Sequence, residues 1–246
     1  VELLALTDHD NIDGLAEARA VAEGAGMRFA NGVEISIEWG GLQVHVLGYA
    51  FDADAEALNT GLEGIRSGRI ARAQRMAAAL EAVGIAGTFE GAMRFAENPT
   101  LVSRAHFARY LVEIGVCKDV RSVFESYIVP GKPGYVEHEW VSLAEAVGWI
   151  HAAGGIAAIA HPGRYKFSRS EMRQMLDEFK ALGGQAIEVV SGSHSQDNIT
   201  LYARLAREYG FMAACGSDFH GPGESYVDLG RIAPLPAGLT PVWDAF

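Results

Sequence analysis

Ile156-Ala157-Ala158-Ile159-Ala160-His161-Pro162-Gly163-Arg164 is the stretch whose reading decides the fold. Five apolar residues suit a short strand covered on both faces, and the run ends on a metal-type ligand followed by a proline that turns the chain. Two other runs close the same way: Phe211–Cys215 opens onto Gly216-Ser217-Asp218-Phe219-His220, and Leu3–Leu6 onto Thr7-Asp8-His9. In a parallel α/β barrel the loops after the strands share one mouth, so ligands from distant strand ends can converge there. The pattern therefore predicts an α/β fold with a metal-centred active site.

Outward from these runs, strands alternate with helices, as βα units in a parallel sheet require. A strand is expected at Glu2–Thr7, then a helix at Asp13–Gly24 capped by Asp13 with Leu15, Ala18 and Val21 inward. Met27–Phe29 and Leu42–Leu47 read as glycine-bounded strands. From Gly61 the texture becomes helical only: Ile65–Val83, Ser103–Ile114 and Lys118–Ile128, closing at Pro130-Gly131-Lys132-Pro133-Gly134. Alternation resumes with a helix at Ser142–Ala153, carrying the stripe Leu143, Val147 and Ile150. A helix at Ser170–Leu182, with Met172, Met175, Leu176 and Phe179 inward, precedes the strand Ala186–Val190 and the helix Asn198–Tyr209. The expected organisation is a barrel domain of residues 1–60 and 147–246, with residues 61–146 as a helical insert. About six strands are readable; a further strand before Val1 would make about seven.

With 246 residues, 49% of them hydrophobic, the chain can bury a full core in one main domain. No apolar stretch reaches the roughly 18 residues that span a bilayer, so no membrane role is expected. Cys117 and Cys215 lie far apart and lack CxxC spacing, so neither a disulfide framework nor a zinc knuckle is implied, and a reducing cytoplasm fits. The net charge of −11 argues against a general nucleic-acid coat. Residues 61–146 hold ten basic and ten acidic residues, so the acidic excess lies wholly in the flanks. Some of those acids are candidates for neutralising metal ions; others are solvated surface.

Asp218 and His220, two apart in an extended segment, project the same way and can grip one ion or two neighbours; a surface pair in a loop is the bland alternative. His161 precedes Arg164, whose planar fork suits a phosphate. Thr7-Asp8-His9-Asp10 supplies His9, or merely opens a helix. Glu34 follows a strand and is a candidate bridging carboxylate, while His45 alternates with apolar neighbours and reads equally as core or ligand. In the insert, Ser103 can cap a helix whose N–H groups receive an anion, with Arg104 and His106 beside it, and Lys132 stands on a rigid turn. Arg66, Arg69, Arg72 and Arg75 read as a solvated face. His138, His151 and His194 take no role from spacing, though the His194 loop follows a strand and is placed to touch substrate. So many imidazoles and carboxylates exceed one tetrahedral ion, and two metals can activate a hydroxide for in-line attack on phosphorus.

Taken in order, Thr7-Asp8-His9-Asp10, Gly32-Val33-Glu34, Ala160-His161-Pro162-Gly163-Arg164-Tyr165 and Gly216-Ser217-Asp218-Phe219-His220 resemble the PHP (polymerase and histidinol phosphatase) family. Ser103-Arg104-Ala105-His106-Phe107-Ala108-Arg109 and Pro130-Gly131-Lys132-Pro133-Gly134-Tyr135 narrow the resemblance to its nucleoside 3′,5′-bisphosphate phosphatases, some of them 5′→3′ exoribonucleases of the RNase AM type. The resemblance implies a distorted (β/α)7 TIM-like barrel with a helical insert that closes over the mouth. It implies two or three divalent ions, manganese first, with zinc, iron or magnesium as alternatives. His9, Glu34, His161, Asp218 and His220 map onto metal positions, joined by His45 and His106. Asp218, His220 and Arg164 map onto the catalytic set, and Ser103, Arg104, Lys132 and Arg164 onto phosphate binding. The implied substrate is a small nucleotide or a short RNA end, with no stable protein partner. An Asp-Leu-His-x-His segment and a Ser-Asp-Gly that open such proteins are missing here, so a first βα unit is expected upstream. Histidinol-phosphate hydrolysis and a degenerate, non-catalytic binding module are the competing readings.

Overall fold

A computed structural model describes residues 1–96, 98–137, 141–221 and 227–246, and divides the chain into two compact units, Val1–Leu62 with Trp140–Phe246, and Glu63–Glu139. His138 lies outside the described residues. In order the elements are β1 Leu3–Leu6, α1 Leu15–Gly24, β2 Arg28–Trp39, β3 Leu42–Tyr49, α2 Glu56–Glu81, α3 Thr88–Met93, α4 Arg104–Glu113 and α5 Val120–Val123. They continue with β4 Val141–Ser142, α6 Leu143–Ala152, β5 Ile156–Ile159, α7 Arg169–Ala181, β6 Ala186–Ser191, α8 Gln196–Tyr209 and β7 Met212–Gly216. Among the described residues no helix is long and apolar enough to cross a membrane.

The first unit is a mixed α/β fold on one seven-stranded sheet, ordered β1-β2-β3-β5-β6-β7 with β4 on β2. The expected all-parallel sheet is corrected at β3, which pairs antiparallel with both β2 and β5. A two-residue turn at Gly40-Gly41, with φ of 58° and 74°, folds β3 straight back on β2, a connection too short for a parallel crossover. β1 and β7 stand at opposite ends of the pairing order, roughly 24 Å apart in a flat sheet of about 4.8 Å spacing. Yet the rings of His9, just past β1, and His220, just past β7, lie 5.7 Å apart. The sheet therefore curls like half a barrel.

β2 runs far beyond the expected Met27–Phe29 because Gly32 does not end it. A Cβ on Gly32 would stand 2.4 Å from the Leu6 carbonyl oxygen, so this glycine marks a close approach of β1 within the strand. β2 pairs with β1 through Asn31 and with β3 from Gly32 onward. α1 also departs in detail: Gly14, not Asp13, is its N-cap, and Val21 is 67% exposed while Ala22 is buried. Seven residues from Leu15 return to the same helix face and six do not. The inward stripes of α6 and α7 lie where their spacing places them.

The second unit packs around Met76, Leu80, Phe107, Leu111, Val123 and Ile128. The expected Lys118–Ile128 helix begins at Val120 behind the N-cap Asp119, and its second half, Phe124–Ile128, is π-helical. Arg72 departs from the solvated-face reading: it is partly buried, and its Nε donates to the Val136 carbonyl at 3.0 Å.

Gly32→Ala is expected to lose about 1–3 kcal/mol through overpacking against backbone. Gly64→Ala, on α2 with nothing within 4 Å of the added carbon, is expected to gain up to about 1 kcal/mol from helix propensity. Urea unfolding of both variants checks the opposite signs; a neutral Gly32→Ala would disprove the close approach.

Candidate metal centre

Strand register brings the centre together. Glu34 on β2 pairs with Leu47, and His45 lies two residues from Leu47 on β3, so both side chains share one sheet face as diagonal neighbours. β3 runs antiparallel, so its early residue His45 sits at the end where the parallel strands finish. The Ala160 N–H donates to the His45 carbonyl at 3.1 Å, which sets His161 beside His45. Past β1, His9 pairs with Glu34 across a parallel bridge, held by Glu34 N–H to the Asp8 carbonyl at 3.0 Å and Asp10 N–H to the Glu34 carbonyl at 2.9 Å. Glu34 thus lies within a strand, not after one.

Glu34 is the hub. Its Oε1 lies 2.7 Å from both His45 Nδ1 and His161 Nε2, and its Oε2 lies 3.6 Å from His9 Nδ1. The ring centroids of His9 and His45 are 4.7 Å apart, and those of His45 and His161 are 5.2 Å apart. Burial pushes the Glu34 carboxyl up, but the field of His9 and the hydrogen bonds from His161 and His45 overcome it and hold the group well below the usual carboxylate range. Tyr165 ties two of the imidazoles: its hydroxyl accepts from the His45 backbone N–H at 2.9 Å and lies 3.3 Å from His161 Nδ1.

Asp218 follows β7, with its Oδ2 accepting from Arg164 Nη1 at 2.7 Å. His220 Nδ1 lies 3.0 Å from the Asp218 carbonyl, an acceptor, so Nδ1 is the donor there. Two groupings have donor atoms close enough to hold an ion: His9, Glu34 and His45, and Glu34, His161 and Asp218. Glu34 belongs to both. A carboxylate common to two nitrogen and oxygen donor sets, without thiolate, fits a pair of hard or borderline divalent cations.

The remaining expected residues belong to the second unit. His106 Nδ1 accepts from the Ser103 N–H at 3.1 Å, so the imidazole caps α4, and neither grouping includes it. Arg104 lies over the Phe124 ring at 5.8 Å. Lys132 is exposed on a turn closed by Tyr135 N–H to the Lys132 carbonyl at 3.0 Å. Burial, then repulsion from Arg104, lowers Arg72 to about 10, so these guanidiniums share one neighbourhood.

Sequence reading missed Tyr165 and Glu188 as site residues. Glu188 lies inside the all-buried β6, and its Oε2 accepts from the His161 N–H at 2.6 Å. Its signal was a carboxylate within the apolar run Ala186–Val190. Burial pushes its carboxyl up to about 8, against the hydrogen bond from His161 and with added repulsion from Glu34 and Asp218.

No protein-family model matches the chain. A 3′,5′-nucleoside bisphosphate phosphatase of Chromobacterium violaceum is 54% identical over 241 residues, covering 98% of this chain and 85% of that protein. A 5′-3′ exoribonuclease of Haemophilus influenzae is 38% identical over 246 residues, covering 100% of this chain and 89% of its own length. Among solved structures, an amidohydrolase of C. violaceum with bound sulfate and no metal superposes with a TM-score of 0.87 at 53% identity, over 99% of this chain and 85% of that one. A metal-dependent phosphoesterase of Bifidobacterium adolescentis shares the fold, with a TM-score of 0.75 at 23% identity over 100% of this chain and 84% of that one.

A protonated Glu188 in the fold implies a pH signature. Between the ordinary 4.5 and about 8 the folded protein binds the extra proton, so stability is full below 4.5 and falls as pH rises through that window. Glu188→Gln removes this slope. In chelator-treated protein, its melting temperature relative to the parent is expected to rise steadily from pH 5 to about 8. A constant difference would mean that Glu188 is ionised throughout.

Proposed function

The chain belongs to the family of 3′,5′-nucleoside bisphosphate phosphatases and 5′-3′ exoribonucleases, and from that membership, with its resemblance to PHP-type metal-dependent phosphoesterases, we propose its substrate. It removes the 3′-phosphate of nucleoside 3′,5′-bisphosphates and releases nucleotides from the 5′ end of short RNA. The observation that carries this reading is Glu34 shared by two ligand groupings, with a phosphate-suited arginine paired to Asp218 in one of them.

His9, Glu34 and His45 hold one ion, and Glu34, His161 and Asp218 a second, with His220 beside them; His106 is a further candidate ligand. Manganese suits this donor set, with zinc, iron or magnesium as alternatives. Divalent ions there supply Lewis-acid polarisation of a phosphoryl oxygen and lower the pKa of a water. Arg164 offers its fork to the phosphate while its Nη1 steadies Asp218. Tyr165, whose hydroxyl burial keeps protonated, fixes the orientation of His161. Ser103, Arg104 and Lys132 are proposed to bind the second phosphate. The like-charged crowd around Arg72 supports a polyanionic substrate, since phosphate relieves such repulsion.

Phosphate release from adenosine 3′,5′-bisphosphate with Mn²⁺ is the test. Asp218→Ala is expected to lower kcat/KM at least about a hundredfold. Arg164→Ala is expected to lower it about 10- to 100-fold, the loss of a charged hydrogen bond. Faster hydrolysis of histidinol phosphate, or activity untouched by Asp218→Ala, would overturn the reading.

A further inference from the structure

Two side chains outside both ligand groupings hold the turn that carries His161 and Arg164. His161 has a φ of 24° and ψ of 58°, conformations an L residue rarely adopts. Its N–H leaves the β5–β6 ladder and donates to Glu188 Oε2 at 2.6 Å. Glu188 reaches that point because β7 offers Gly216 beside it: a Cβ there would stand 2.7 Å from Glu188 Oε1. β6 then bulges, with the register slipping between Glu188 and Val190. The carbonyl of the intervening Val189 accepts from His194 Nδ1 at 3.0 Å. The opposite nitrogen, His194 Nε2, accepts the Gly163 N–H at 3.1 Å, and the ring stacks on Tyr202 at 5.3 Å.

We propose that Glu188 and His194 are positioning residues, a two-point clamp on the β6 bulge: Glu188 aims the imidazole of His161, and His194 sets the loop that presents Arg164. Bulges beside active sites commonly re-aim side chains in this way. A carboxyl group buried in an apolar strand is costly, and an apolar residue would pack there more cheaply. Its acceptor oxygen replaces the strand partner that the His161 N–H forgoes, which lets the chain leave the sheet one residue after Ala160. The His194 bridge does the same for Gly163, whose added Cβ would lie 2.8 Å from that ring.

The clamp rests on the metal-site reading above, so the test reads metal and substrate separately. Mn²⁺ binding by titration calorimetry, and kcat and KM on adenosine 3′,5′-bisphosphate, are measured for the whole protein and for Glu188→Ala, Glu188→Gln and His194→Ala. Glu188→Ala is expected to weaken Mn²⁺ binding about 10- to 100-fold, the usual cost of losing a ligand's support. Glu188→Gln keeps an acceptor for the His161 N–H and is expected to bind Mn²⁺ within about threefold of the parent. His194→Ala is expected to raise KM about tenfold with Mn²⁺ affinity unchanged. Parent-like binding in Glu188→Ala, a Gln variant as weak as Ala, or an unchanged KM in His194→Ala would overturn the clamp. Should Glu188→Ala fail to fold, Mn²⁺ binding by Glu188→Gln more than about tenfold weaker than the parent, or an unchanged KM in His194→Ala, would overturn the clamp. A parent protein that neither binds Mn²⁺ nor releases phosphate would instead sink the metal-site reading itself.

Discussion

A glutamate charge buried to 5% exposure, Glu34, must be met on all sides, and the first unit is arranged around that requirement. An unpaired buried carboxylate is costly, whereas one held by several donors stays ionised. Three imidazoles meet Glu34, from the end of β1, the early part of β3 and the end of β5. No flat sheet could supply them together with Asp218 from the far edge. The curl, the antiparallel β3 and the unusually long β2 are one solution to a single geometric demand.

The same demand explains the electrostatics. Glu188 feels repulsion from Glu34 and Asp218, so three carboxylates lie within range of one another. The acidic excess of the chain lies in the two segments that build this unit, and part of it is concentrated at this centre. Carboxylates interleaved with imidazole nitrogens form a donor set that suits divalent cations. In the second unit Arg72 loses proton affinity to burial and to its arginine neighbours.

His9, His161, Asp218 and His220 were legible because each follows an apolar run, where a polar residue has few structural reasons to stand. Glu34 and His45 were visible as candidates, but their place within strands was not. Gly32 looked like a boundary, and only the approach of the Leu6 carbonyl shows why a glycine stays inside the strand. The antiparallel return of β3 was hidden for a related reason, since local alternation is the same in either direction. Glu188 was lost inside Ala186–Val190, where the apolar pattern dominated the reading of one charged residue. Val21 and Ala22 were exchanged by a single position, within the ambiguity of a short helix. Sequence reading gives His106 a metal position and His194 no role from spacing, whereas one caps a helix and the other bridges a bulge to a loop.

Backbone conformation carries the argument one step further. Among the described residues four non-glycine residues have positive φ, and three of them, Asp10, His161 and Asp218, stand at or beside the cluster around Glu34. Such conformations cost about 1–3 kcal/mol each and persist only where surrounding contacts over-determine them. Each has a tether from elsewhere in the chain: Asp10 Oδ1 accepts the Ser36 N–H at 2.7 Å, His161 N–H reaches Glu188, and Asp218 is gripped by Arg164. The tethers run between different strand segments, so the turns are held by the sheet and not by their own local propensity. The geometry of this cluster is therefore a property of the assembled β1–β7 sheet, and a change in any tether acts on it from outside the two candidate ligand groupings.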